Sequence, residues 1–181
     1  MPPKQRITRE MILERSFAMF CQEGMGIVNA RSVAKALNCS TQPIFSYYAG
    51  MDDLKNALNA KAQETFEACM LAAHKADAGA VSACSAYIGF AGEQPRLFAH
   101  LFMHNNENQA LSSVTMKEME KSIVEAESKA CGVDEAAAYH VCRQMWLFSH
   151  GLASVIAAGK VTYTQEEMVG LLRGVYAKIT A

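Results

Sequence analysis

Apolar positions recur at intervals of three and four along nearly the whole chain, the spacing of one face of a helix. From Met11 to Glu23 the face is Ile12, Leu13, Phe17 and Phe20, with Ser16 among them. Thr8 is placed to cap this helix and Gly24 to stop it. Asn29 opens a short second helix with Val33, Ala34 and Leu37 inside, ending near Asn38. Ser40 is predicted to cap a third, with Ile44, Phe45 and Tyr48 as its apolar side. Gly50 breaks the chain. Asp52 and Asp53 then occupy the first turn of a fourth helix, where carboxylates favour the positive end of the dipole. Leu54, Ala57, Leu58 and Ala62 carry its buried stripe on toward His74.

The pattern stays helical to the C-terminus. Segments are predicted over 78–93 and 95–104, the second opening on Pro95. The polar run 105–111 reads as a loop, and 112–131, rich in Glu and Lys, as a largely solvated helix ended by Gly132. Asp134 caps a long apolar helix to about Ala158. After a turn over 159–163, Thr164 and Glu167 form a capping box for the last helix, whose stripe is Met168, Leu171, Leu172, Val175 and Ile179. No alternating strand pattern and no repeat occurs. The expected fold is all-α: a three-helix N-terminal domain over residues 1–50 and a larger helical domain over 51–181, with 51–74 as the connecting helix.

Composition narrows the class. The 181 residues are 51% apolar and 19% charged, which excludes a disordered chain. The apolar stretch 145–159 is too short for a membrane span of about 20 residues. MPPKQRITRE lacks the apolar core of a secretory signal, so a soluble, cytoplasmic protein is expected. The six cysteines form no CxxC pair and read as reduced, packed thiols. Net charge is −1, but residues 1–62 hold eight Lys/Arg against five Asp/Glu, and the remainder nine against thirteen. A basic front on an acidic body points to an acidic partner for the front.

Residues 29–48 carry the clearest chemistry. NARSVAKALN, the turn NCS and TQPIFSYY have the form of a helix-turn-helix. Ala34 is small where the two helices cross. The outer side of the second helix presents Thr41, Gln42, Ser46 and Tyr47, side chains long enough to reach bases or phosphates. Gln42 is the candidate for a direct base contact, because its amide pairs in two places with adenine. Pro43 stiffens the first turn and offers a ring to a thymine methyl. Asn29, Arg31, Ser40 and Lys55 complete the candidate DNA-binding set. Taken alone, two short helices with polar surfaces are an equally good account of this stretch.

The longer span MILERSFAMFCQEG…VAKALNCSTQPIFSYYAGMDDLKNAL resembles the DNA-binding domain of the TetR (tetracycline repressor) family across four consecutive helices, roughly residues 6–58. Three positions depart from the family pattern. Phe45 stands where a phosphate-binding Tyr is frequent, Met51 where Lys is frequent, and Asn38 where Gly is usual. The segment WLFSHGLASVIAAG is similar, less specifically, to the Trp…His-Gly segment of some family C-terminal domains. The resemblance implies an all-helical homodimer that binds double-stranded operator DNA, with a variable C-terminal domain for a small-molecule effector. It implies a transcriptional regulator, most simply a repressor released by its effector.

In the larger domain, Phe98, Phe102, Met103, Tyr139, Cys142, Arg143, Trp146 and His150 are the candidate pocket residues; aromatic and Met side chains with a few polar groups suit a mostly apolar effector. His100 and His104 are further candidates. The small residues Gly151, Ala153, Ala157, Gly170 and Gly174, with Leu152, Ile156, Leu171 and Val175, make the last two helices the candidate dimer surface. Nothing points to a cofactor. The His100/His104 pair lacks the glutamate of a zinc hydrolase, Cys142 and His140 point to different helix faces, and no phosphate loop or GxSxG elbow is present, so neither a metal nor catalysis is expected. The competing reading is a helical dimeric adaptor or sensor without sequence-specific DNA binding.

Overall fold

The computed structural model describes residues 7–103 and 113–181. Lys4, Arg6, His104, the loop predicted over 105–111 and the helix start at Ser112 lie outside the described residues. Among the described residues the regular structure is helical throughout, with no strand. The chain divides into two compact units, Met1–Glu64 and Thr65–Ala181. The division falls inside α4 (Met51–Ala76).

The first unit holds α1 (Arg9–Glu23), a single 3-10 turn (Met25–Ile27), α2 (Ala30–Ala36), α3 (Gln42–Tyr47) and the start of α4. Each boundary has a local cause. Thr8 Oγ1 accepts from Met11 N–H at 3.2 Å, and Gly24 ends α1 at φ +91°. Asn38 closes α2 with φ +52°, the left-handed region that Asn tolerates better than most residues. Ile12, Phe20, Val33, Ile44, Leu54 and Leu58 are buried almost completely. The Arg9 guanidinium sits 4.9 Å from the buried Tyr48 ring, and Lys61 pairs with Glu14 at 2.5 Å beside Phe17.

Two sequence expectations change here. The N-cap of α3 is Thr41, not Ser40, and no side chain caps that helix. Phe45 is 51% exposed and does not join Ile44 and Tyr48 inside. Within this six-residue helix only Ile44 is buried, and Tyr48, the C-cap that follows, joins it inside.

The second unit continues α4 and adds α5 (Ala80–Glu93), α6 (Pro95–Phe98), α7 (Val114–Cys131), α8 (Glu135–Ala157) and α9 (Gln165–Ile179). A π-helical turn, Ala99–Met103, follows α6. Asp134 Oδ1 caps α8 through Ala137 N–H at 2.8 Å, and Thr164 with Glu167 caps α9 reciprocally. The α5 helix packs along α8, flanked by α7 and α9. The solvated reading of α7 holds for one face only. Met116, Met119, Ile123, Val124 and Glu127 are buried.

Candidate nucleic-acid interface and ligand cavity

The helix-turn-helix is built by α2 and α3. Asn29 is fully engaged as the cap of α2: its Oδ1 accepts from Arg31 and Ser32 N–H at 3.1 and 3.0 Å, and its Nδ2 donates to the Ile27 carbonyl at 3.2 Å. Ser32 Oγ accepts from Asn29 N–H at 3.1 Å and closes the box. Arg31, Ser40, Gln42, Ser46 and Tyr47 are exposed, while Thr41 and Pro43 are half-buried at the start of α3. Ser46 Oγ donates to the Gln42 carbonyl at 3.0 Å, which fixes its rotamer along the helix. Lys55 Nζ rests 3.9 Å from Asp52, a surface pair worth about 0–1 kcal/mol that a phosphate can displace. The result is a short helix whose open face carries uncharged hydrogen-bonding groups and one aromatic ring, with Arg31 and Lys35 exposed on the helix before it.

A cavity of about 480 Å³ lies within the second unit, inside the range of about 300–1,000 Å³ usual for ligand sites. Phe66 and Met70 of α4, Cys84 and Tyr87 of α5, Met116, Met119 and Ile123 of α7, and Tyr139, Cys142, Arg143, Trp146 and Ser149 of α8 line it, with Glu120 as the acidic member. The structure thus brings Tyr139, Cys142, Arg143 and Trp146 together on this cavity. Phe98, Phe102, Met103 and His150 do not line it. Phe98 is fully buried, Met103 is exposed, and His100 sits in the π-helical turn.

Behind the cavity the aromatic rings form one cluster. Phe66 meets Phe102 at 4.9 Å, Phe90 at 5.3 Å and Tyr87 at 6.1 Å between centroids, all near edge-to-face. Phe98 touches Phe102 at 5.0 Å and Tyr87 at 5.4 Å. The π-helical turn places Phe102 in this cluster. Tyr87 Oη lies 2.8 Å from His150 Nδ1, and the His150 ring stacks on Trp146 at 5.4 Å. His150 therefore orients two cavity-wall rings without lining the wall itself.

Burial pushes the Tyr87 phenol well above its ordinary range. It also lifts the Cys84 thiol to about 11 and the Cys142 thiol to about 12, with the Glu127 carboxylate adding to both and a Ser149 hydrogen bond partly opposing the first. A raised pKa keeps the protonated form, so both are neutral thiols at pH 7. At pH 8 alkylation by iodoacetamide is expected to be slower than that of a free thiol by about 10- to 20-fold at Cys84 and about 40- to 60-fold at Cys142, the scarcer thiolate being partly offset by its greater nucleophilicity. Mass-spectrometric labelling that finds either as fast as a free thiol contradicts this.

Met70, Met116, Met119, Cys84 and Tyr87 were absent from the sequence-based pocket set. Their stripe positions marked them as inward-facing, but a stripe does not separate a cavity wall from a packed core. Among the described residues no three His, Cys, Asp or Glu side chains converge on one point, and no helix is long and apolar enough to cross a membrane.

An all-helical chain with a helix-turn-helix in one unit and an apolar cavity in the other has the build of a DNA-binding regulator. A family profile described as the C-terminal domain of tetracyclin-repressor-like proteins matches residues 80–172. The chain belongs to this TetR family of transcriptional regulators. It is 24% identical over 172 residues to the uncharacterized HTH-type transcriptional regulator YobS of Bacillus subtilis (strain 168), covering 92% of this chain and 87% of that one. Among solved structures it is similar to a TetR-like transcriptional regulator from Rhodococcus sp. RHA1 (TM-score 0.58, 14% identity, 96% and 97% of the two chains). It is also similar to the multidrug binding protein EbrR complexed with imidazole (TM-score 0.53, 17% identity, 94% and 95%).

Proposed function

We propose that this regulator is a cytoplasmic homodimeric repressor that leaves its operator when a small, mostly apolar molecule fills the cavity of the second unit. The observation that carries the reading is that cavity, walled by Phe66, Tyr87, Met70, Met116, Met119 and Trp146. EbrR, whose structure was determined with imidazole, is a multidrug binding protein by name and is consistent with a small-molecule effector here. No catalytic step is assigned. Arg31, Ser40, Thr41, Gln42, Pro43, Ser46, Tyr47 and Lys55 are the proposed DNA-contacting set, with Asn29 holding α2 in shape through its cap.

Helix α4 is the proposed conduit. It contributes Phe66 and Met70 to the cavity wall and, about two to four turns earlier, the buried Leu54 and Leu58. An effector that favours a different setting of Phe66 and Met70 biases the helix that also follows the reading head. By linkage, DNA and effector then weaken each other's binding by the same factor.

The test is a mobility-shift assay at low salt on DNA from upstream of the gene, paired with a thermal-shift screen of apolar molecules. Compounds that raise the melting temperature are expected to release the DNA. Gln42→Ala is expected to weaken specific binding about 5- to 150-fold per half-site, as loss of a bidentate adenine contact of about 1–3 kcal/mol implies, with little change on random DNA. A dimer that never distinguishes any of this DNA from random sequence refutes the reading.

A further inference from the structure

We infer that the cavity of the second unit takes an apolar monocarboxylate, its head held by Arg143 at the solvent end and its apolar body turned inward. The inference rests on that cavity being the effector site and adds the chemistry of the effector. Among the described lining residues Arg143 is the one cation and Glu120 the one anion. Among the described residues no carboxylate pairs with the Arg143 guanidinium, Glu120 included. The two charges are not equivalent. Glu120 has Lys117 one turn before it on α7, an oppositely charged neighbour at helical spacing. Arg143 has no acidic residue one turn away in either direction, where Tyr139, His140, Trp146 and Leu147 stand. Tyr139 and Trp146 share the cavity wall with it, so two rings flank a cation that has no partner.

A guanidinium presents a fork of N–H donors that a carboxylate accepts in two places. Deeper in, the wall is apolar: the Phe66 and Tyr87 rings and the Met70, Met116 and Met119 side chains, whose thioethers adapt to an irregular body. The ends of the cavity differ in their charge as well. The Glu127 carboxylate pushes up the thiols of both Cys84 and Cys142, and the same field repels an anion at that end. A carboxylate therefore belongs at Arg143, which is exposed, and the apolar body among the rings. A ligand cation has only Glu120 to meet, a group already beside Lys117, and it faces the charge of Arg143.

The experiment titrates the full chain with para-phenylbenzoate and decanoate, each beside its uncharged primary amide, and with para-phenylbenzamidine as the cationic probe. Calorimetry gives the affinities, and the fluorescence of Trp146, the sole tryptophan, reports occupancy of this cavity. At least one acid is expected to bind about tenfold more tightly than its amide, the lower end for hydrogen bonds to charged groups because Arg143 is exposed. Added salt should shrink the preference. Arg143→Gln is expected to bind acid and amide alike, Arg143→Lys to retain part of the preference, and Glu120→Gln to keep it whole or enlarge it. Arg143 and Glu120 are both exposed, so the variants should melt with the wild type and keep its oligomeric state. Arg143 lies one turn from Leu147, and a change of oligomeric state in Arg143→Gln overturns the inference by assigning the guanidinium to a seam between copies. Amides that bind as tightly as the acids overturn it while leaving an apolar effector, and with it the regulator reading, intact. So does an amidine that binds tightest and loses affinity in Glu120→Gln. Failure of every probe to bind also overturns it, and the regulator reading then rests on the wider screen of apolar molecules. An acid whose binding depends on Arg143 but never releases DNA bears out the inference and refutes effector-driven release.

Discussion

Glu127→Ala is expected to destabilise the protein by about 3 kcal/mol, a fall of roughly 10 °C in melting temperature for a chain of this size. The carboxylate is only 4% exposed. Its Oε1 accepts from the Ala80 N–H at 2.7 Å, and its Oε2 accepts from Tyr176 Oη at 2.5 Å. Gly79, the N-cap of α5, has no side chain to satisfy the first turn, so Glu127 does so from α7, 47 residues along the chain. The same group holds α9 through Tyr176, whose phenol stays protonated because burial and the neighbouring Cys131 and Glu127 all push it up. One residue thus joins three helices, with its charge placed at the positive end of the α5 dipole.

Truncation leaves the buried Ala80 N–H without a partner and the Tyr176 hydroxyl with only the Cys131 thiol at 3.3 Å, and the desolvated N–H is the main cost. Glu127→Gln keeps an oxygen for Ala80 and is expected to lose about 1 kcal/mol; Tyr176→Phe is expected to lose about as much. Thermal or urea denaturation of the three variants separates the contributions. If Glu127→Ala melts within 2–3 °C of the wild type, the node contributes no more than an ordinary surface site, at about 2–4 °C per kcal/mol.

Glu127 also marks where sequence reasoning stops. It stands among Glu and Lys residues, and although its spacing from Ile123 puts it on the inward stripe, nothing local says what its carboxylate meets there. Its role comes from Ala80 and Tyr176, each more than 40 residues away. Caps behave oppositely. Thr8, Asn29, Asp134 and the Thr164–Glu167 box were legible because donor and acceptor lie within three residues. Helix identity and the inward stripes were legible for the same reason, since periodicity is a local property. The cap of α3 was misplaced by one residue because Ser40 and Thr41 are equally good capping types and only the backbone path separates them.

The cavity shows a similar split. The aromatic and polar residues of α8 were identified from type and clustering, and Tyr139, Cys142, Arg143 and Trp146 do line it. Phe98 and Phe102 have the same composition signal, yet Phe98 is core and both pack in the ring cluster behind. Whether a buried aromatic faces a void or another ring is decided by elements distant in sequence. Here the deciding elements are α4 and α7, which supply Phe66, Met70, Met116 and Met119.

The second large effect concerns assembly. Leu171→Arg is expected to convert a dimer into a monomer and to lower affinity for a two-half-site operator on the order of 100-fold, since the second reading head then binds as a separate molecule. Leu171 is 40% exposed, and on either side of it Gly170 and Gly174 leave open space where a Cβ would stand. On α8 the exposed Leu147, Gly151 and Val155 continue at four-residue spacing. Two outward stripes of apolar and small residues on consecutive long helices allow close helix-on-helix approach in a twofold arrangement. Ala153 and Ile156, placed in the dimer set by sequence, serve the chain's own interior instead. Ala153 is fully buried, and the Ile156 side chain lies 3.6 Å from where a Cβ on Gly92 would stand. Because the Leu171 side chain faces outward, the substitution should leave the helical content unchanged by circular dichroism. Light scattering after size exclusion then reads the oligomeric state directly. A Leu171→Arg protein that remains dimeric moves the interface elsewhere; one that is monomeric yet binds the full operator undiminished refutes the requirement for two joined reading heads.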